Sequence, residues 1–209
     1  MQSAAGRDRR YADPVPTYDP TTALVAVDVQ NDFGDPAGSL YVRGAEEIVP
    51  LVNAEISRAR GAGAAVVATQ DWHPEHTPHF APDSGTWPVH CVRDSWGAAF
   101  REDLDVAGAT VIRKGEDGGD GYSAFSVRDP ESGEVDDTLL HATLVARRIR
   151  QLTVCGIATD YCVVETVLDA RMRGYRVEVL SSAIRAVDLA AGDGDRAITR
   201  MRDAGAELI

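Results

Sequence analysis

The sequence predicts a single-domain, three-layer α/β/α fold on a mainly parallel, doubly wound sheet, and two patterns support this prediction. Continuous apolar runs, which are typical of strands buried on both faces, alternate with segments whose apolar residues recur at helical spacing. Such alternation places helices on both faces of a parallel sheet. The length of 209 residues is sufficient for one domain with a full core.

Composition narrows the class of protein. The formal net charge of −12 argues against nucleic acid or an anionic membrane as a partner. No apolar run approaches the length of a membrane span, and three cysteines without a signal peptide indicate a reduced, cytoplasmic compartment.

Residues 1–20 are polar and lack periodicity, so they are predicted to form an extended arm before a domain over 21–209.

Reactive side chains follow the predicted strands. Apolar runs predict strands at 23–27, 64–69, 110–113 and 152–157, with two more at 177–180 and 206–209. Asp28, Asp71, Lys114 and Cys162 lie at or just beyond the carboxyl ends of the first four runs. Ligands of parallel sheets bind outside the carboxyl ends of the strands, so these four residues predict a site on one rim.

The predicted helices fill the gaps between the strands. One helix carries Ile48, Val52 and Ile56 and tolerates Pro50 in its first turn, and others are predicted around 139–148 and 196–202. A further helix begins just before Val163, with Thr159 or Asp160 as its N-cap. Cys162 therefore lies in a first helical turn, where backbone N–H groups and the helix dipole favour a thiolate.

These residue types suit nucleophilic catalysis. Lys114 supplies a cation for a Cys162 thiolate, and Asp28 can accept and return a proton. Each also has a plain interpretation: an inert core cysteine, a solvated lysine at a strand end, and a capping or ion-paired aspartate. A carboxylate that closes an apolar strand needs a partner, and Lys114 is its natural one.

Imidazoles are concentrated beside a carboxylate in the long connection from residue 71 to about 108. They are His73, His76, His79 and His90, which follow Asp71. The alternation of Asp71 and His73 puts both side chains on one side of an extended segment, and this donor set suits Zn, Fe or Mn. The plain interpretation is a group of surface histidines in a loop. Cys91 and Cys155 are predicted to be core thiols.

The chain resembles the nicotinamidase/pyrazinamidase branch of the isochorismatase-like cysteine hydrolases from about Thr22 to Ile209. The resemblance is carried by Val27–Phe33, Asp71–His73, His79–Phe80, Trp87–Val92, Lys114–Gly115, Tyr122–Phe125 and Gly156–Val163. Any one of these motifs alone is weak, but together they are specific. The loop at 116–121 departs from the family pattern and can alter access to the pocket.

The resemblance implies an isochorismatase-like hydrolase that converts nicotinamide or pyrazinamide to the acid and ammonia, in NAD salvage. It implies a triad of Asp28, Lys114 and Cys162. It implies one divalent transition metal on Asp71, His73, His79 and His90, with His76 spare. It also implies a cis peptide at Ile157–Ala158, where the N–H groups of Ala158 and Cys162 bind an oxyanion, and a pyridine ring flanked by Phe33, Trp87 and Tyr122. Tyr161 varies in the family and has no assigned role.

Two alternatives remain open at the sequence level. A superfamily hydrolase acting on a carbamoyl or ureido group would share the triad but generally lack the metal cluster. A metal-binding protein without catalysis would use the histidine-rich loop for storage or sensing. The sequence leaves open the metal, the oligomeric state (a homo-oligomer included) and the preferred aromatic amide.

Overall fold

The computed structural model describes residues 16–209. Its strands are β1 (Thr22–Val27), β2 (Ala65–Asp71), β3 (Thr110–Lys114), β4 (Ser126–Arg128), β5 (Val135–Asp137), β6 (Gln151–Ile157), β7 (Arg176–Arg185) and β8 (Glu207–Leu208). Its α-helices are α1 (Asn31–Gly34), α2 (Val49–Gly61), α3 (Leu139–Ala146), α4 (Val164–Met172) and α5 (Asp193–Asp203). Short 3₁₀ turns cover Ala45–Ile48 and Ala81–Asp83, and a π-helical turn covers Thr159–Val163.

Six strands form one parallel sheet in the order β3-β2-β1-β6-β7-β8. The central strand β1 is buried along its whole length, as its unbroken apolar run predicts. Because these strands are parallel, the carboxyl ends of β1, β2, β3 and β6 lie along the same edge of the sheet. The predicted fold class is confirmed.

Apolar cores cover both faces of the sheet. One core joins the sheet to α3, α4 and α5 through side chains such as Leu144, Val167 and Met201. The other joins it to α2 through Val52 and Ile56. The helix α2 begins with Pro50 in its first turn, where the missing N–H costs no intrahelical hydrogen bond.

Two parts of the architecture differ from the sequence prediction. The strand β7 extends to Arg185, well beyond the apolar run at 177–180, because register shifts opposite Val154 and Gly156 let it follow β6 to its end. The antiparallel hairpin β4–β5 was not predicted, because its strands have only three residues each, are largely half-buried in β4 and exposed in β5, and lack an apolar alternation.

Most of the predicted arm, residues 1–15, lies outside the described residues. The remainder runs along α2, where Arg58 donates to the carbonyl of Pro16 at 3.0 Å and Tyr18 donates to Glu55 at 2.9 Å. No helix within residues 16–209 has the length and apolar character needed to cross a membrane.

Only glycine fits at position 156, where the backbone of β6 pairs with Val27 of β1. Its φ is +117°, and a Cβ there would lie 2.1 Å from the carbonyl oxygen of Val27. We expect Gly156→Ala to lower the free energy of unfolding by about 3 kcal/mol or more, through this overlap and the unfavourable φ. The measurement is equilibrium denaturation by urea.

Gly61→Ala is the matched control, because a Cβ at this last residue of α2 would meet nothing within 4 Å. It should leave stability unchanged or raise it by up to about 1 kcal/mol. Equal losses in the two variants would contradict a specific role for Gly156.

Candidate active site

An ion pair between Lys114 and Asp28 lies at the centre of the rim. Lys114 Nζ is 2.6 Å from Asp28 Oδ2, and both side chains are fully buried. Lys114 also donates to the carbonyl oxygen of Gly121 and, at 3.4 Å, to that of Tyr122. The interpretation of Lys114 as a solvated strand-end lysine is therefore wrong.

Asp28 is held by a second strand. Its Oδ1 accepts from the Thr69 hydroxyl at 2.5 Å, and its own N–H donates to the same hydroxyl oxygen at 3.0 Å. Burial raises the pKa of Asp28, an effect that Lys114 partly offsets. Burial alone would lower the pKa of Lys114, but the attraction of Asp28 outweighs it and raises that pKa, so the lysine stays charged.

Cys162 is buried in the π-helical turn between β6 and α4. The turn begins after Ala158 without a side-chain cap, so the predicted capping by Thr159 or Asp160 is wrong. Asp160 instead accepts from the N–H groups of Val187 and Asp188, at 2.9 and 2.8 Å, and holds the segment after β7. The Ile157–Ala158 peptide bond is cis, as the resemblance implies.

The ionisation of Cys162 differs from the expectation. Burial raises the pKa of its thiol well above the ordinary value, and Lys114 only partly opposes this. The negative charge of the Asp28 carboxylate also raises it. The raised pKa favours the protonated thiol.

Three of the predicted metal ligands form one buried cluster. Single donor atoms of His73, His79 and His90 all lie within 4.8 Å of one another. Asp71 Oδ2 adjoins them, 3.0 Å from His73 Nε2 and 3.4 Å from His90 Nε2. His76 is exposed and contacts Asp83 instead, in agreement with its prediction as the spare histidine. The alternative of surface histidines is wrong for these three.

The donors of this cluster fit a divalent transition metal. Asp71 Oδ2 adds one carboxylate oxygen to the imidazole nitrogens of His73, His79 and His90, which is the donor set that Zn, Fe or Mn prefers. Burial would raise the pKa of Asp71, but His73 and His90 hold it well below its usual range, so the carboxylate is ionised. Burial and the repulsion of His73 lower the pKa of His79, which favours the neutral imidazole that metals bind.

Hydrogen bonds orient two of the imidazoles. His79 Nδ1 is 2.5 Å from Asp120 Oδ1, and His90 Nδ1 is 2.7 Å from the carbonyl oxygen of Pro88. Each contact leaves Nε2 of the ring for another partner. Asp120 lies in the loop that was expected to affect pocket access, and no sequence motif identified its contact with His79.

One cavity of about 280 Å³ joins the thiol to the cluster. Among its lining residues are Phe33, Asp71, His79, Trp87, His90, Tyr122, Ala158, Tyr161 and Cys162. The three predicted ring-binding residues thus line it. Trp87 Nε1 donates to the Tyr122 hydroxyl at 2.8 Å, and Tyr161 meets the Trp87 ring edge-to-face at 5.1 Å. A flat aromatic molecule can enter between these walls.

A larger cavity of about 680 Å³ lies at the outer edge of β3. Its lining includes Arg113, Glu116, Asp117, Asp129 and Asp136, but none of the predicted catalytic or metal-binding residues. We therefore locate the candidate active site at the smaller cavity, which is lined by Cys162 and by His79 and His90 of the cluster.

Two polar side chains that sequence reasoning missed support the rim. The Gln30 side-chain amide accepts from the N–H of Asp71 at 2.7 Å and donates to the carbonyl oxygen of Asp71 at 2.8 Å. Both backbone polar groups of Asp71 are therefore hydrogen-bonded, as they would be by a neighbouring strand. Asp32 accepts from the N–H of Cys91 at 2.7 Å, beside His90. Both lie in the motif after β1.

Replacement of Lys114 should destabilise the protein, because Asp28 remains buried. We expect Lys114→Met to lower the free energy of unfolding by about 3–5 kcal/mol, because Asp28 would be left buried without a counter-charge. The measurement is urea denaturation near neutral pH.

The exposed pair of Arg200 and Glu165, 2.9 Å apart, provides the control. Arg200→Met should change stability by no more than about 1 kcal/mol. A Lys114→Met variant as stable as Arg200→Met would contradict the importance of the buried pair.

Comparisons with known proteins agree with this geometry. The family model described as the Isochorismatase domain matches residues 22–209. The nicotinamidase of Escherichia coli K12 is 38% identical over 206 residues, covering 90% of this chain and 94% of that protein.

Two solved structures share the fold. PnC1 from L. infantum, in complex with nicotinate, has a TM-score of 0.83 and 37% identity, covering 93% of this chain and 95% of that one. The pyrazinamidase of Pyrococcus horikoshii, in complex with zinc, has a TM-score of 0.81 and 36% identity, covering 91% and 99%. This chain therefore belongs to the isochorismatase-domain family, in its nicotinamidase/pyrazinamidase branch.

Proposed function

We propose that this protein hydrolyses nicotinamide to nicotinate and ammonia through a thioester on Cys162. The observation that carries the proposal is one aromatic-walled cavity lined by Cys162 and by two members of the histidine cluster, His79 and His90. Hydrolysis of the nicotinamide carboxamide requires a nucleophile and a proton donor. Binding of the pyridine nitrogen requires a Lewis acid or a hydrogen-bond donor. The cavity offers a partner for each group.

The first half of the reaction forms the thioester. Asp28 takes the thiol proton as the Cys162 sulfur bonds to the carboxamide carbon, and the carbonyl electrons move to the oxygen. The N–H groups of Ala158 and Cys162 bind this oxyanion, and the Lys114 ammonium stabilises the anionic groups around it. The C–N bond then breaks, and Asp28 returns its proton to the leaving nitrogen, which departs as ammonia.

The second half restores the enzyme. Asp28 takes a proton from water as the water oxygen bonds to the thioester carbon. The C–S bond breaks, the thiolate recovers a proton from Asp28, and the acid product loses its carboxyl proton to solvent and leaves as nicotinate. Because the raised pKa of Asp28 brings it closer to that of its proton donors, one carboxylate can serve as base and acid in turn.

Asp71, His73, His79 and His90 would hold one divalent Zn, Fe or Mn ion. When bound, the ion supplies a Lewis acid for the ring nitrogen and so orients the substrate. Phe33, Trp87 and Tyr122 would flank the ring and place its carboxamide against Cys162. Pyrazinamide, which has a similar ring nitrogen and carboxamide, is expected to be a second substrate.

This reaction fits a role in cytoplasmic NAD salvage, and both the role and the location stay predictions. The alternatives are weaker. A carbamoyl or ureido substrate makes no use of the buried histidine cluster. A storage or sensing protein has no need of a cysteine in the cavity wall or of a fully buried pair of Asp28 and Lys114.

Cys162→Ala should abolish ammonia release from nicotinamide while metal content stays unchanged. The control is Cys155→Ala, because Cys155 is a core thiol on β6 outside the cavity lining. Coupled ammonia assays on metal-loaded proteins provide the measurement. Substantial turnover by Cys162→Ala would rule out the thioester route. If the unsubstituted enzyme released none, the substrate would be sought among carbamoyl and ureido compounds.

His73→Ala should lose the bound metal and raise KM for nicotinamide more than it lowers kcat, because the ion orients the ring. His76→Ala is the control, since His76 lies on the surface with a 79% exposed side chain. Metal content is measured by mass spectrometry of the purified proteins. Equal metal content in His73→Ala and the unsubstituted protein would refute the ligand assignment.

A further inference from the structure

The loop between β3 and β4 contributes one side chain to the histidine cluster. Asp120 Oδ1 lies 2.5 Å from His79 Nδ1, and the Asp120 side chain is 27% exposed. A carboxylate beside Nδ1 holds the imidazole proton on that nitrogen and leaves Nε2 as the donor atom. The contact therefore selects both the tautomer and the direction of the ring.

Backbone hydrogen bonds to the strand β4 hold the main chain of Asp120 in place. Its N–H donates to the carbonyl of Arg128 at 2.7 Å and its carbonyl accepts from the Arg128 N–H at 2.9 Å, in an antiparallel bridge to the hairpin β4–β5. The same loop is tied to the histidine segment, because the Thr77 hydroxyl donates to the Gly118 carbonyl at 2.9 Å. The hairpin thus provides a rigid support for Asp120.

The other histidines are oriented differently. The Nδ1 atom of His90 faces a backbone carbonyl, which a substitution does not remove. The ring of His73 stacks on that of His79, with centroids 4.9 Å apart, so the direction of His79 also affects its neighbour. Within residues 16–209, Asp120 is the side chain outside the ligand set that hydrogen-bonds to a ring of the cluster.

We propose that Asp120 is a positioning residue of the metal site: its carboxylate fixes His79 for coordination and thereby sets the affinity for the metal. The proposal rests on the metal-binding role assigned above. It gives the loop at 116–121 a function at the metal site in addition to its contact with the pocket wall. Substitution of Asp120 should therefore weaken metal binding. Once the metal site is occupied, the reaction at Cys162 should proceed as in the unsubstituted enzyme.

The test is the dissociation constant for Zn²⁺, measured by competition with a chromophoric chelator. Asp120→Ala should bind Zn²⁺ about 10–100-fold more weakly than the unsubstituted enzyme. Asp120→Asn, which keeps an acceptor oxygen and the side-chain volume, should lie between the two. Excess free metal should restore most of the kcat of Asp120→Ala, which a general structural defect would not permit.

Asp117→Ala is the matched control. Asp117 is an exposed carboxylate of the same loop that lines the larger cavity, so its loss should leave the affinity for Zn²⁺ unchanged. The absorption spectrum of Co²⁺-loaded Asp120→Asn should also differ from that of the unsubstituted enzyme, because the geometry at His79 changes. This second variant tests the proposal if Asp120→Ala does not fold.

Unchanged affinity and Co²⁺ spectra in the Asp120 variants, beside metal loss in His79→Ala, would overturn the role of Asp120 alone. An unsubstituted protein that binds neither Zn²⁺ nor Co²⁺ would overturn the metal site and this proposal together. The two failures are distinct, because the first appears only in the variants.

Discussion

The rest of the site depends on the fully buried ion pair of Asp28 and Lys114. A lone charge at either position would be very costly, so each residue is tolerated only with the other in place. The pair also joins three strand ends and a loop, because Thr69 contacts the carboxylate and Gly121 contacts the ammonium. The same electrostatics favour a charged lysine and a protonated thiol, which is why the proposed reaction begins with a proton transfer to Asp28.

Catalysis and orientation are assigned to different parts of the fold. The proposed triad lies on strand ends and on the turn after β6. His79 and His90 lie on the long connection after β2, and hydrogen bonds orient their rings. Gln30 and Asp32, next to the triad aspartate in sequence, hold Asp71 and the backbone beside His90. The motif after β1 thus links the two halves, and a shift of either half would separate the nucleophile from the ring-binding groups.

Much of this arrangement could be predicted from sequence because strand periodicity and the parallel topology place Asp28, Lys114 and Cys162 on one rim. The resemblance to a known family added the ligand set and the cis peptide. Contacts between distant segments were missed: Thr69 looks like an ordinary strand residue, and Asp120 sits in a glycine-rich loop supported by a hairpin without apolar periodicity. The helix terminus that favours a Cys162 thiolate can be read from sequence, whereas the burial that raises the pKa of this thiol cannot.

The most direct test of the account is to trap the acyl group during turnover. Hydroxylamine added to metal-loaded enzyme and nicotinamide should intercept the thioester at its carbonyl carbon and release the thiol of Cys162. The account predicts that ammonia release continues while part of the product becomes nicotinohydroxamate, measured by chromatography. Ammonia release accompanied by nicotinate alone, at hydroxylamine concentrations that trap a model thioester, would contradict the thioester and point to direct attack by water.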